Sequence, residues 1–145
     1  MTFTPTEVFY MLLGLATIVP VFWLNRDLFK RAPTSGVEVV YYLTALAALF
    51  VGWYFNIAYM NQYGADAGWW HWTTLLFVNP ASASGGQDLI FANVILFPLW
   101  TILDGRRIGM RWPGWYFLMS LVTSFAFAMA LFLAVRDRQL RAAAI

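Results

Sequence analysis

The feature that most constrains this chain is a series of long apolar runs, each ended by a polar or basic cluster. The runs cover residues 8–25, 37–60, 88–104 and 113–135. About 20 apolar residues suffice to cross a bilayer as a helix. Only 11% of the residues are charged, whereas soluble domains carry about 25%. We therefore predict an all-α integral membrane protein, a single membrane domain over 1–145 with four transmembrane helices.

The connection between the second and third runs is aromatic but too short and too polar to span. Asp66 is placed to cap a short helix, and three tryptophans and a histidine follow it, namely Trp69, Trp70, His71 and Trp72. Tryptophan is favoured at the membrane–water interface. The pattern predicts an interfacial helix over about 66–78, which ends at Asn79-Pro80 because a residue before proline avoids helical geometry.

The start of the third run carries helix-start signals. Ser84-x-x-Gln87 matches a capping box, which satisfies the free N–H groups of a first turn. Asp88 would then lie in that turn, where the helix dipole favours a negative charge. We therefore expect Asp88 near the lipid head groups.

Small residues recur at helical spacing in two of the runs. The second run contains Ala48 and Gly52, and the fourth contains Ala126, Ala130 and Ala134. Such spacing allows close approach of neighbouring helices in a membrane. These five positions are the predicted helix-packing residues.

The basic residues are grouped in a way that predicts topology. Loops 25–36 and 105–112 hold six of the nine, whereas the 61–87 connection holds none. The positive-inside rule places both loops in the cytoplasm and the 61–87 connection outside. Four spans would also put the Arg136, Arg138 and Arg141 tail outside, which conflicts with the same rule.

Composition excludes several classes of site. The chain has no cysteine, which excludes disulfides, thiolate metal sites and a cysteine nucleophile, and its one histidine excludes a histidine-rich metal site. No metal or other cofactor is predicted. The arginine groups are typical of helix flanks, and no nucleic-acid partner is expected.

Several motifs resemble a family of small bacterial membrane proteins, domain of unknown function 2834. The matching stretches are Trp53-Tyr54-Phe55-Asn56, Asn79-Pro80-Ala81-Ser82, Asp88-Leu89, Arg106-Arg107-x-Gly109-Met110-Arg111, Phe125-Ala126-Phe127-Ala128, Leu131-Phe132-Leu133 and Arg136-Asp137-Arg138. The resemblance covers about residues 40–140. The chain departs from the family pattern at Asp104, where glutamate is usual, and at Ala130, where proline is frequent. The resemblance implies a location in the bacterial inner membrane and implies no activity.

Two ionisable residues are candidates for chemistry. Asp88 would become a proton donor if its helix start were drawn into the membrane, where desolvation raises the pKa of a carboxyl. His71 could serve as a base, a ligand or a pH sensor. The competing interpretations are a first-turn acid in the headgroup zone and an interfacial hydrogen-bonding histidine.

A candidate ligand site combines polar amides with aromatic walls. Its residues are Asn56, Trp69, Trp70, Trp72 and Asn93. A bound lipid, carotenoid or quinone would suit such walls, although helix packing and an aromatic belt also explain these residues.

Three functions remain open. The preferred one is a non-catalytic accessory subunit or a lipid- or pigment-binding membrane protein, because the sequence contains no catalytic constellation. The second is a small membrane isomerase or cyclase acting on an apolar isoprenoid or lipid, with Asp88 as the acid. The third is an oligomeric transporter or channel. The expected partners are the bilayer and, for assembly, other membrane subunits or further copies of the chain.

Overall fold

The computed structural model describes residues 3–144. In chain order its elements are α1 (Pro5–Ala16), α2 (Ile18–Leu24), α3 (Arg26–Arg31), α4 (Gly36–Tyr63), a 3₁₀ turn (Gly64–Asp66), α5 (Trp69–Leu75), α6 (Pro80–Ile90), a π-helical turn (Phe91–Leu96), α7 (Phe97–Arg107), α8 (Trp115–Val122) and α9 (Phe125–Ala143). The predicted all-α class is confirmed.

Three segments are long and apolar enough to cross a membrane, Pro5–Leu24, Gly36–Asp66 and Pro80–Arg107, with mean hydropathies of 1.8, 1.5 and 1.5. Only 17% of each apolar window is buried inside the protein, so most of its apolar surface is left to face acyl chains. The predicted count of four spans is not confirmed. The segment expected as the fourth span forms two shorter helices.

The first span bends at Thr17. Pro20 has no N–H, so the Ala16 carbonyl loses its helical partner. At the neighbouring residue, the Thr17 hydroxyl donates a hydrogen bond to the Gly14 carbonyl at 2.6 Å. The span therefore continues as two helices, α1 and α2, which meet one turn before Pro20.

The last span begins at Pro80, earlier than the predicted start at Asp88. The Asn79 side chain accepts a hydrogen bond from the Ser82 N–H at 2.9 Å, and Pro80 fills the first helical position. An Asn-Pro pair can end a helix, but it also begins one, since asparagine is a good cap and proline suits the first turn. Asp88 consequently lies two turns inside α6.

The aromatic connection forms a helix that is shorter than the predicted 66–78 segment. This helix is α5, Trp69–Leu75. Asp66 was expected to cap it but is instead the last residue of the preceding 3₁₀ turn. Gly68 takes the cap position instead, with no side-chain hydrogen bond.

A wide turn interrupts the last span. Pro98 cannot donate to the Val94 carbonyl, and the backbone just before it widens into the π-helical turn. Such turns expand the helix locally and re-aim the side chains on it. Asn93 lies in this turn.

Helices α8 and α9 form an antiparallel hairpin in place of a fourth span. Trp115, at the start of α8, donates from its indole to the Thr17 carbonyl at 2.8 Å. The turn follows at Thr123, whose ψ of −100° is not helical, and the Ser124 hydroxyl caps α9 by accepting from the Phe127 N–H. Across the hairpin, the Tyr116 and Phe132 rings lie 5.4 Å apart.

The tip of the hairpin lies at mid-depth in the bundle. Gly14 is near the middle of the first span and faces Thr123, while Gly52 is near the middle of α4 and faces Ser124. At the other end of α9, Arg138 contacts Glu38 at the start of α4. The hairpin therefore enters and leaves at the same end of the molecule.

This arrangement removes the topological conflict of a four-span chain. The C-terminal arginines lie beside loop 25–36, and Arg136 lies beside Asp104 next to the second basic loop. All nine Lys and Arg residues of the sequence then belong to segments at one end. We call it the basic end.

The core of the protein is α9 itself. Its buried side chains include Phe127, Leu131, Phe132 and Val135. Phe97 and Trp100 of α7 pack edge-on against the Phe132 ring at 6.4 and 5.1 Å. The surrounding spans thus cover α9 and expose their outer faces.

Gly86 gives a test of how α6 docks against Leu76, the residue that follows α5. A Cβ at this position would lie 2.7 Å from Leu76 Cβ and 3.1 Å from its carbonyl oxygen, whereas a Cβ at Gly85 meets nothing within 4 Å. We expect Gly86→Ala to lower the free energy of unfolding by about 1–3 kcal/mol through overpacking. Gly85→Ala should be neutral or slightly stabilising, because alanine favours helix. Unfolding of both variants in detergent measures the difference, and equal stabilities would contradict this docking.

Candidate functional site

A buried ionic cluster closes the basic end. Glu38, in the first turn of α4, is fully buried. Its Oε1 accepts from the Arg138 Nε at 2.7 Å and from the Tyr42 hydroxyl at 2.9 Å. Its Oε2 accepts from Arg141 Nη2 at 2.6 Å. Two guanidinium groups therefore neutralise one carboxylate, and each carboxylate oxygen is bonded.

Arg138 also fixes loop 25–36 against α9. Its guanidinium donates to the Ala32 carbonyl at 3.0 Å and to the Thr34 hydroxyl at 2.8 Å. It also stacks over the Phe29 ring at 4.5 Å. Only 4% of the residue is exposed. A guanidinium so fully engaged fixes structure and leaves no donor for a substrate.

A second, more open ion pair joins α7 to α9. Arg136 Nε donates to Asp104 Oδ2 at 2.5 Å. This hydrogen bond raises the pKa of the Arg136 guanidinium above its ordinary value. The Gln139 amide adds a hydrogen bond to the Ile108 carbonyl at 3.1 Å. The two pairings connect the C-terminal helix to the second basic loop.

Glu38 was not among the site residues predicted from the sequence. Its one signal is an acid three residues after Ser35, a common helix-start pattern whose partner cannot be read from the chain. Its partners, Arg138 and Arg141, follow 100 and 103 residues later in the chain. Tertiary structure alone brings them together.

His71 is held between two tyrosines at the opposite end. Its Nδ1 lies 3.0 Å from the Tyr59 hydroxyl, and its ring packs edge-on against Tyr63 at 4.6 Å. The same Tyr59 hydroxyl accepts from the Gly68 N–H at 3.0 Å. These contacts dock α5 onto the end of α4. They describe a histidine that is hydrogen-bonded to one tyrosine and packed against another, and within residues 3–144 no hydrogen bond joins its ring to an acidic side chain.

The three candidate tryptophans differ in exposure. Trp69 and Trp70 are 62% and 81% exposed, while Trp72 is partly buried and packs against the Trp69 ring at 6.2 Å. The two exposed rings suit the headgroup layer. Neither the groove lined by Met11 and Trp53 nor the crevice lined by Leu96 and Trp100 has the three tryptophans, Asn56 or Asn93 among its lining residues.

Asp88 lies on an exposed face of α6, where its Oδ1 accepts a hydrogen bond from the Gln87 amide at 2.5 Å. The enzyme hypothesis requires this carboxyl to be desolvated, and the protein's own side chains do not bury it.

The two candidate asparagines, Asn56 and Asn93, have different surroundings. Asn93 Oδ1 accepts a hydrogen bond from the Ser120 hydroxyl at 2.8 Å and so links the π-helical turn to α8. Asn56 is exposed on α4. The structure thus uses Asn93 between helices and leaves Asn56 at the surface.

The small residues are divided between contact and surface. Gly52 lies against Ser124, where a Cβ added to the glycine would be 3.5 Å from the serine Cβ, and Ala48 packs on the core from a half-buried position. Ala130 and Ala134 are buried in α9 at 4% and 0% exposure. Ala126, on the same stripe, is exposed.

An apolar groove lies between the first and second spans. Its volume is about 360 Å³, and its lining comprises Phe3, Met11, Phe50, Trp53, Tyr54, Ile57 and Ala58. This volume falls within the range of ligand pockets. The groove occupies the half of the bundle that the re-entrant hairpin does not reach, because the hairpin stops at Gly14 and Gly52.

A second apolar crevice borders the π-helical turn. It has a volume of about 270 Å³ and is lined by Ala92, Leu96, Phe97, Trp100, Phe125 and Met129. Within residues 3–144 no group of three or more acidic or histidine side chains is arranged to hold a metal ion. The chain offers apolar recesses and one saturated ionic cluster.

The fold is helical, with three segments long and apolar enough to cross a membrane and a hairpin, α8 and α9, that packs among them. The chain belongs to the family described as protein of unknown function DUF2834, whose sequence model matches residues 40–138. The resemblance noted from the sequence is thereby confirmed. No curated protein and no solved structure matches the chain. The family match runs from α4 into α9 and leaves α1, one wall of the groove, outside it.

Proposed function

We propose that this protein is a non-catalytic membrane protein that binds a lipid by its acyl chain. The observation that carries the proposal is the apolar groove between α1 and α4. Its walls are aliphatic and aromatic, and both walls belong to segments long and apolar enough to span the membrane. The medium around such a groove is acyl chains, so a chain of a neighbouring lipid is the occupant that reaches it without crossing water.

The re-entrant hairpin supports this proposal because it stops halfway. Between its tip and the basic end, α9 fills the space between the spans with side chains such as Leu131 and Phe132. In the opposite half of the bundle, α9 supplies no such side chains, and the groove lies there. Close packing in proteins otherwise leaves few voids larger than a water molecule. An acyl chain occupying this half would complete the packing.

The proposed location is the bacterial inner membrane, with the basic end in the cytoplasm. The positive-inside rule favours this orientation for all three arginine groups at once. The exposed Trp69 and Trp70 would then lie at the outer headgroup layer. A role as an accessory subunit would use the exposed faces of the spans to contact other membrane subunits or further copies.

A photoactivatable phospholipid with a diazirine on its acyl chain tests the groove. We expect its crosslinks, mapped by mass spectrometry in reconstituted vesicles, to concentrate on Met11, Trp53 and Ile57. Filling the groove with Ala58→Trp should lower this labelling about tenfold, a change that corresponds to roughly 1.4 kcal/mol.

The matched control is Ala47→Trp, which adds the same bulk to an exposed position on α4 outside the groove. It should leave the labelling unchanged. Crosslinks spread evenly over all lipid-facing residues of the wild type would contradict a specific chain site.

A further inference from the structure

A buried carboxyl oxygen in the first turn of α1 has no partner within the described chain. Glu7 is 2% exposed. Its Oε2 accepts from the Thr4 N–H at 2.6 Å. Its Oε1 is buried and has no hydrogen-bond partner among residues 3–144. Leaving a buried polar atom unbonded costs about 1–3 kcal/mol, and more when the group is charged.

Glu38 shows what this chain does with a comparable glutamate. Both residues lie three positions after a hydroxyl cap, Thr4 for Glu7 and Ser35 for Glu38, and both are buried. Glu38 receives two guanidinium groups and a tyrosine hydroxyl. Glu7 lies at the opposite end from every lysine and arginine, so no guanidinium or lysine ammonium within residues 3–144 neutralises it.

The position of Glu7 relates it to the groove. Glu7 and Met11 are four residues apart on α1 and therefore share a face. Met11 lines the groove, and so does Phe3 on the other side of Glu7 in sequence. Glu7 is in the first turn of a span that begins at Pro5. In a membrane crossed by α1 and α2 this turn would lie near the lipid head groups, and the groove extends from Phe3 towards Phe50 near the middle of α4.

We propose that Glu7 binds the hydrogen-bond-donating head group, an ammonium or a hydroxyl, of the amphiphile whose chain occupies the groove. The inference rests on the proposed function and adds the chemistry of the ligand's head. The donor bonds to Oε1, the cap bond to Oε2 stays in place, and the chain extends along Met11 and Phe50. An ammonium adds the positive charge that buried carboxylates normally require.

Three probes with one diazirine-bearing chain and different heads test this inference, namely a primary amine, an alcohol and a methyl ester. The readout is crosslinking to the Met11 and Trp53 peptides in reconstituted vesicles. We expect the amine and the alcohol to label the wild type about tenfold more than the ester, the advantage of one charge-assisted hydrogen bond. In Glu7→Gln the amine should fall to the level of the ester.

Glu7→Gln is suited to this comparison because glutamine also serves at the third position of a capping box. Thr4→Ala is the control for the helix start, since it removes the cap hydroxyl and keeps the carboxyl. It should preserve the preference for the amine.

Each possible result is decisive. Equal labelling by all three heads in the wild type overturns the role of Glu7 while the groove still binds chains. Loss of amine preference in Thr4→Ala as well as in Glu7→Gln assigns the effect to fraying of α1 and also overturns it. Absence of groove labelling by every probe overturns the proposed function itself.

Discussion

Glu38→Ala will be among the most destabilising single substitutions in this protein. It removes the carboxylate that accepts from Arg138, Arg141 and Tyr42 and leaves the Arg138 guanidinium buried without its counter-charge. Breaking a buried ion pair by removing one partner costs about 3–5 kcal/mol. The loss falls on the contact that holds the end of α9 to the start of α4. Unfolding in detergent micelles, by heat or by added denaturing detergent, measures it.

Two controls distinguish the effect of leaving a buried charge unpaired from the effect of losing any ion pair. Asp104→Ala breaks the Arg136 ion pair, in which the side chains are 30% and 17% exposed. Exposed pairs contribute about 0–1 kcal/mol, so this variant should lose far less. The double variant Glu38→Met with Arg138→Met removes the buried carboxylate and the buried guanidinium together, leaves Arg141 its Asp137 partner, and should recover part of the stability. A loss for Glu38→Ala no larger than that for Asp104→Ala would contradict the structural role of the cluster.

Single cysteines will report the C-terminus and loop 25–36 from the same side of the membrane. The native chain has no cysteine, so each introduced thiol is the sole target. Ala143→Cys and Lys30→Cys should react with a membrane-impermeant maleimide from one face of oriented vesicles. Gln62→Cys should react only from the other face. The expected effect is all or none, because a charged reagent does not cross the bilayer.

The cysteine result distinguishes two folds of the last segment. A continuous fourth span would carry Ala143 to the face of Gln62, whereas the hairpin returns it to the face of Lys30. Labelling of Ala143→Cys from the Gln62 face would therefore contradict the hairpin. Arg107→Cys, in the second basic loop, serves as the internal reference and should follow Lys30→Cys in either fold.

Local sequence signals located most helices because they depend on near neighbours. The apolar runs at 37–60 and 88–104 lie within observed helices, Gly36–Tyr63 and Pro80–Arg107. Boundaries were harder to predict where one motif supports two structures. Asn79-Pro80 ends some helices and begins others, and the structure uses it as a beginning. The choice depends on whether Asn79 can cap Ser82, which the sequence leaves open.

The candidate sites were harder to predict than the helices. His71 was expected either at an interface or at a reactive centre, and its tyrosine neighbours follow from how α5 folds back on α4. Glu7 and Glu38 drew no functional prediction, since each reads as an ordinary first-turn acid. The two glutamates differ in their neighbours in space. Two arginines pair with Glu38, whereas no basic residue of the described chain pairs with Glu7.

The amino-acid sequence by itself determined the class of this protein and its solvent. So few charges and such long apolar runs are typical of a chain whose helices face acyl chains. The tertiary structure decided which apolar segments form helices long enough to cross a membrane and where the groove lies. Residues 113–135 are apolar enough for a span, but the turn at Thr123 and Ser124 and the pairing of Arg138 with Glu38 bring them back to their starting face. That pairing joins residues 100 positions apart, and no local pattern records a contact made over such a distance.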